Sequence, residues 1–381
     1  MLSGDRFRQA REIRGWTQTE LARRIGVYQS AIAQFEGGMA APSQEKLQAI
    51  AFQTGFPIAF FRQGFASDFP LGSLLFRAKA SLSSGDKNRL RQYGKIIYES
   101  VEKMEVGLSK IPLRLPRQEG DPEAAARITR SVLGLPPDDP VDLLIRPIEM
   151  TGVLVLAIPM DIDKYDAFSL WLGKEAQRPV MVFSARGPGD RLRFNIAHEL
   201  GHLVLHHAVD KDIRTMEKEA NRFASELLMP REAMMRELVP PVTLMSLRRL
   251  GLRWKVSVQA LIRRARDLEI TSQRQYVYLN QQLNKLGLRK KSLVDILIER
   301  PRAFRQMAEM LYGDPIDCRK MASEMNLPHL LVLEAVGRYA EKNRAWYPAE
   351  VLKEANSATL VDLTENRSRR GKMDDAERKR K

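Results

Sequence analysis

Three residues within five positions have the types and spacing of a metal-dependent hydrolytic site: His198, Glu199 and His202. Residues four apart lie on the same face of a helix, so the two histidines can offer ring nitrogens to one metal ion. A catalytic zinc ion has three protein ligands and an open position for a water molecule, whose pKa falls to about 7. Glu199 is placed to take a proton from that water. The pattern therefore predicts a zinc site with Glu199 as the catalytic base.

A third ligand must come from outside this motif, and the candidates that follow it are Glu217, Glu219, His206 and His207. Residues 217–228 have the apolar periodicity of a helix. Glu217 falls close to the inward face of that helix, whereas Glu219 is turned further away. We therefore expect Glu217 to be the third ligand, with the other three as rivals.

Two more polar residues are expected beside the ligands. Asn221 follows Glu217 by four residues, so it can hydrogen-bond a ligand. His206 continues the row of His198 and His202 by another four residues, and it either contacts a ligand or stabilises the oxyanion. Four of the five histidines fall within ten residues, which favours a metal site over a chance motif.

The amino-terminal region has a different pattern, typical of a helix-turn-helix. Thr17 and Glu20 predict a capping box that opens a helix over 18–25, and Gly26 supplies the left-handed residue that ends it. After a two-residue connection, the next helix is predicted over 29–36. Such a pair places its second helix in the major groove of DNA. A helical bundle that only docks another protein is the alternative.

Five residues of this pair are the expected DNA contacts. Gln29, Ser30 and Gln34 lie on the outward side of the second helix, where glutamine can read adenine through two hydrogen bonds. Gln18 and Tyr28 are placed for the phosphate backbone. Double-stranded DNA is therefore the predicted partner of this region.

The composition fits a polyanionic partner and a reducing compartment. The 381 residues carry a formal net charge of +15, which favours nucleic acid binding. The single cysteine, Cys318, excludes an internal disulfide and a cysteine-type zinc site. The longest apolar run, 153–159, is too short to span a membrane, and residues 1–8 lack the apolar core of a signal peptide. We expect a cytoplasmic protein.

The fold class is predicted to be mainly α with a small β-sheet, an α+β arrangement. Short apolar runs at 153–158, 167–172 and 179–183 predict three strands. They would support the zinc-binding helix, predicted over 190–207, with the rigidity that a metal site requires.

Five regions are expected along the chain: a DNA-binding domain (1–65), a helical connector (66–120), a zincin-like domain (121–290), a helical unit (291–350) and a disordered basic tail (351–381). The helical unit contains a weak second helix-turn-helix pattern at 320–328. A basic surface is also expected after the zincin motif, where solvation and phosphate contact are equally plausible roles. Its members are Arg248, Arg249, Arg253, Arg263, Arg264 and Arg266.

The chain resembles two known families. Its amino-terminal region resembles the phage-repressor type of helix-turn-helix found in XRE-family regulators. The positions that carry this resemblance are Gln18, Ala22, Gly26, Ile32 and Glu36. Residues from about 75 to 290, through the segments 193–206 and 217–230, resemble the ImmA/IrrE family of metallopeptidases.

The second resemblance implies a cytoplasmic zinc endopeptidase that relieves repression by cutting a repressor or antitoxin-like protein. It implies His198, His202 and Glu217 as ligands and Glu199 as the catalytic residue. The expected partners are operator DNA and a protein substrate, and a homodimer stays open. Two other functions stay open: a regulator whose zincin-like domain only senses a metal or ligand, and the antitoxin of a toxin pair.

Overall fold

The chain, in a computed structural model, forms an amino-terminal helical bundle, a central α+β region and a helical carboxyl-terminal region. The predicted fold class is therefore confirmed. The structure describes residues 2–64, 83–108, 111–158, 167–172, 178–184, 188–207, 211–286, 296–297 and 299–338. The predicted tail, 351–381, lies outside the described residues, as do residues 66–82 and 109–110 of the predicted connector.

The amino-terminal bundle consists of α1 (Gly4–Ile13), α2 (Gln18–Ile25), α3 (Gln29–Glu36), α4 (Gln44–Thr54) and a 3-10 turn (Ile58–Arg62). The predicted capping box is confirmed, because Thr17 Oγ1 accepts from Glu20 N at 3.1 Å and Glu20 Oε2 accepts from Thr17 N at 2.6 Å. Gly26 ends α2 with φ 66°. The 3-10 turn brings Phe60 and Phe61 into the core.

A long helix, α5 (Ser84–Glu105), contacts both the bundle and the sheet. On the bundle side, Arg6 forms a buried ion pair with Glu99 at 2.8 Å. On the other side, Glu105 pairs with Arg178, the first residue of a strand.

The sheet has three described strands, β1 (Leu154–Ile158), β2 (Ala167–Leu172) and β3 (Arg178–Ser184). Their order is β1-β3-β2, with β1 parallel and β2 antiparallel to β3. These strands agree with the predicted runs to within one residue. Strand β2 contacts the helix that carries the histidine motif, so this sheet supports the motif from one side.

The sheet is preceded by two helices, α6 (Pro122–Val132) and the short α7 (Ile145–Met150). The backbone N–H groups of Leu144 and Ile145 donate to Glu299 Oε2 at 2.6 and 2.9 Å. A carboxylate far along the chain therefore fixes where this helix begins.

Two packed helices carry the residues of the predicted metal site, α8 (Gly189–Leu205) and α9 (Ile213–Leu228). They approach closely at Gly201, where an added Cβ would lie 2.9 Å from the Phe223 ring. Any larger residue at position 201 would have to move that ring.

The remaining helices are α10 (Arg231–Glu237), α11 (Leu244–Trp254), α12 (Val258–Asp267), α13 (Gln273–Lys285), α14 (Ala303–Tyr312), α15 (Cys318–Met325) and α16 (His329–Arg338). In the part of the chain that the structure describes, no helix is both long and apolar enough to cross a membrane.

In three helix pairs of the described chain, the two helices are joined by the same type of turn. The pairs α2–α3, α11–α12 and α15–α16 each turn at a left-handed residue, with φ 66° at Gly26, 54° at Lys255 and 56° at Asn326. In each, the next residue donates its N–H to the carbonyl five positions back, at 2.9 to 3.1 Å. The weak pattern at 320–328 therefore corresponds to a real helix pair.

Candidate metal centre and DNA-binding face

The side chains of His198, His202 and Glu217 converge between α8 and α9. Their ligand atoms all lie within 4.8 Å of one another. The Nε2 atoms of the two histidines are 3.1 Å apart, and the two Glu217 carboxylate oxygens lie 3.3 Å from His198 Nε2 and 3.2 Å from His202 Nε2. The arrangement has the composition and convergence of a three-ligand metal site.

Asn221 sets the tautomer of His198. Its Nδ2 donates to the Glu217 carbonyl at 2.7 Å, so its Oδ1 faces the His198 ring, 3.2 Å from Nδ1. An amide oxygen can only accept, and Nδ1 therefore carries the proton. In a neutral ring this leaves a lone pair on Nε2, aimed at Glu217 and His202.

A longer chain of contacts sets the tautomer of His202. Lys211 Nζ contacts both oxygens of Glu219 at 2.8 and 2.9 Å, and Glu219 Oε2 lies 2.8 Å from His206 Nε2. The carboxylate accepts from His206 Nε2, so His206 Nδ1, in a neutral ring, accepts from His202 Nδ1 at 2.9 Å. His202 Nε2 therefore also presents a lone pair to the cluster.

This cluster of lone pairs and a carboxylate requires positive charge at its centre. When the positive charge is a proton on these rings, hydrogen bonds from His198 and His202 hold the pKa of Glu217 well below its usual range. Burial opposes a positive charge on His198, but the hydrogen bond to Glu217 and the charge of Glu199 outweigh it and raise its pKa. A divalent cation would supply the same charge without a proton, so the residues present fit a metal ion.

Glu199 is held by a residue that the sequence patterns do not single out. Ser169, a buried residue of β2, donates from Oγ to Glu199 Oε2 at 2.7 Å. The same hydroxyl lies 3.1 Å from the Glu199 carbonyl oxygen. The signal in the sequence is a lone hydroxyl in an apolar strand, which is costly to bury without a partner.

The rival ligands lie outside the convergent cluster. Glu219 contacts His206 and Lys211, and His206 bridges His202 and Glu219 through its two ring nitrogens. His206 therefore has the geometry of a support for a ligand, since its two ring nitrogens contact His202 and Glu219. His207 is not among the converging ligand residues.

The predicted DNA-contacting residues lie at the start of α2, in α3 and at Tyr28, which directly precedes α3. Tyr28 is 87% exposed, and Gln29, Ser30 and Gln34 are also exposed, whereas Gln18 is half-buried. This surface presents side chains that can both donate and accept hydrogen bonds, as base edges require.

A hydrogen-bonded chain fixes part of this surface. Gln29 Nε2 donates to Gln18 Oε1 at 2.6 Å, and Gln18 Nε2 donates to Glu36 Oε2 at 2.8 Å. Buried Glu36 is in turn held by Arg11 through two bonds of 2.5 and 2.9 Å. Gln29 is therefore oriented before any partner binds, and sequence reasoning did not find this support because Arg11 lies on another helix.

Comparison with known families assigns two regions of the chain. The helix-turn-helix family matches residues 7–61, which include α2 and α3. The IrrE N-terminal-like domain matches residues 148–266, which include the sheet, helices α8 and α9 and all but the last residue of α12. No curated protein matches the chain.

Proposed function

From the union of a helix-turn-helix domain with an IrrE N-terminal-like peptidase domain in one chain, we infer a DNA-bound zinc endopeptidase that cleaves a repressor or antitoxin-like protein. The observation that carries this proposal is the convergence of His198, His202 and Glu217 beside Glu199. A site that only stores or senses a metal has no need for a carboxylate base in that position.

The proposed chemistry is hydrolysis of a peptide bond. His198, His202 and Glu217 would hold Zn²⁺, which when bound supplies a Lewis acid for the scissile carbonyl and lowers the pKa of water. Glu199 takes the proton of the attacking water and returns it to the leaving amine. Ser169 keeps the Glu199 carboxylate in place for both transfers.

The neighbours of the ligands serve this chemistry indirectly. Asn221 and His206 each occupy the second ring nitrogen of a ligating histidine and so keep Nε2 available. We assign His206 to this supporting role and not to the oxyanion.

The helix-turn-helix domain would locate the enzyme at an operator. Gln29 and Gln34 are proposed to read base edges together with Ser30, while Gln18 and Tyr28 contact the phosphate backbone. A peptidase held on DNA meets its substrate where a repressor is already bound, which raises their effective concentration.

The test is a comparison of host proteomes carrying the native protein, Glu199→Gln, or Glu232→Gln. Glu232 is an exposed glutamate of α10 and serves as the matched control. We expect one DNA-binding protein to appear truncated with the native and control chains and intact with Glu199→Gln. Stoichiometric zinc together with an unchanged phenotype in Glu199→Gln would instead establish the sensor function.

A further inference from the structure

A cleft of about 840 Å³ opens beside the candidate metal centre, between α8, α9 and α12. The described residues that line it include four basic side chains and one acidic side chain. These are Arg191, Lys218, Arg222, Arg263 and Asp267. The cleft is therefore electropositive, and its volume is in the range of sites that enclose a ligand.

The cleft is continuous with the ligand cluster. Asn221 lines it and also contacts His198 at 3.2 Å. Asn195, one helical turn before His198, lines it as well, and Lys218 directly follows Glu217. A chain lying in the cleft would therefore pass alongside the ligands.

The third wall is the second helix of the pair α11–α12. Its exposed residues Gln259 and Arg263 face the cleft. On the opposite side, Arg264 is buried, pairs with Glu226 of α9 and donates to the Met229 carbonyl at 3.0 Å. Arg264 was predicted in the basic surface and is instead a buried anchor, because Glu226 is buried beside it.

The basic residues can exchange their present partners for new ones. Arg222 lies 3.1 Å from Asp121, and Arg263 lies 2.9 Å from Asp267. These ion pairs are partly exposed to solvent, and such pairs contribute little to stability. Replacing an intramolecular carboxylate with one from a bound chain therefore costs little free energy.

We propose that this cleft binds an acidic segment of the substrate polypeptide next to the bond to be cleaved, with Lys218 and Arg263 determining specificity. This inference rests on the proposed peptidase function. Charge complementarity requires an anion, and the concave shape beside the metal ligands suits an extended peptide. A DNA duplex requires a protruding helix or ribbon instead.

The test measures binding to the zinc-loaded full-length Glu199→Gln protein by fluorescence anisotropy at physiological salt. The probes are a fluorescein-labelled peptide that alternates glutamate and serine, its lysine and serine counterpart, and a labelled DNA duplex. We expect the double variant Lys218→Glu with Arg263→Glu to bind the acidic peptide with an affinity about tenfold lower. The matched control, Arg249→Glu with Arg274→Glu, changes the net charge equally on exposed sites outside the cleft, and should weaken it by less than about threefold.

Two results of the binding measurement would overturn the proposal: equal losses in both double variants, or unchanged peptide binding with or without a loss of duplex binding. Zinc content and thermal melting verify that each variant is folded, and Lys218→Ala with Arg263→Ala replaces the reversal if it is not. The Lys218→Glu, Arg263→Glu variant with Glu199 intact is also compared with the native chain in the host. If both give the same level of the truncated host protein, the cleft proposal fails and the peptidase function stands. If the truncated host protein does not appear with the native chain, the peptidase function fails. The cleft proposal is not affected by that result, since peptide binding is measured separately.

Discussion

The pairs α2–α3 and α11–α12 have the same turn and different surroundings. In the first, the outward residues of α3 face solvent. In the second, the outward residues of α12 line a cleft beside His198 and Glu217. The shared turn sets only how two helices cross, and the neighbour of the second helix determines which partner it can meet. A helix-turn-helix shape alone therefore does not identify a DNA-binding surface.

The largest expected effect separates chemistry from DNA binding. Glu199→Gln should lower the cleavage rate of the identified substrate by a factor of about 10² to 10⁴, because an amide cannot accept the proton from water. Binding to a duplex selected by the native protein should be unchanged. An equal loss of DNA affinity would mean that the two regions are not functionally separate.

The second-largest expected effect concerns DNA binding by the pair α2–α3. The double variant Gln29→Ala with Gln34→Ala should lower the affinity for the selected duplex by about 10- to 100-fold. Each lost base contact costs about 1–3 kcal/mol of binding free energy, and the two losses are not fully additive. The cleavage rate of a substrate free in solution should not change. Gln44→Ala with Gln48→Ala, on the exposed side of α4, is the control. Equal losses in both variants would argue against base reading by α3.

A smaller effect concerns the candidate metal centre, which lies beside the cleft that the second pair borders. Glu219→Ala should weaken zinc affinity about tenfold, since it removes the acceptor that orients His206 and, through it, His202. Competition with a chromogenic chelator measures the change. Glu219→Gln retains an acceptor oxygen and should recover part of the affinity. If Glu219→Ala binds zinc as tightly as the native chain, the hydrogen-bonded chain has no role in orienting the ligand.

The smallest effect tests the shared turn itself. Gly26 has no atom within 4 Å of an added Cβ, so Gly26→Ala should cost only the left-handed strain, about 1 kcal/mol. Lys255 already bears that strain at φ 54°, and Lys255→Gly should shift the urea midpoint upward. The exposed contact of Lys255 with Asp142 at 2.8 Å offsets little of this gain. Shifts of the same sign in both variants would contradict an equivalent turn geometry.

The sequence predicted best those elements whose signals are local. The bounds of α2 and α3 agree with the structure because a cap, a turn glycine and helical periodicity all lie within twenty residues. The three strands were predicted for the same reason, since each is a short apolar run between breaks.

The sequence predicted least where a distant residue determines the local structure. The start of α7 depends on Glu299, more than 150 positions away. Ser169 reaches Glu199 only because β2 packs on α8. The sequence predicted that His198, His202 and Glu217 converge, with three rivals to Glu217 left open. The face of α12 that lines the cleft follows instead from tertiary packing that no local pattern encodes.

Helix α5 has a mechanical consequence. The amino-terminal bundle is attached to it through Arg6 and Glu99, and the sheet through Glu105 and Arg178. A torque on the bundle would therefore reach the sheet through the short stretch of α5 between Glu99 and Glu105, about 9 Å of helix. A rotation of the amino-terminal region would be passed to the sheet within about two helical turns.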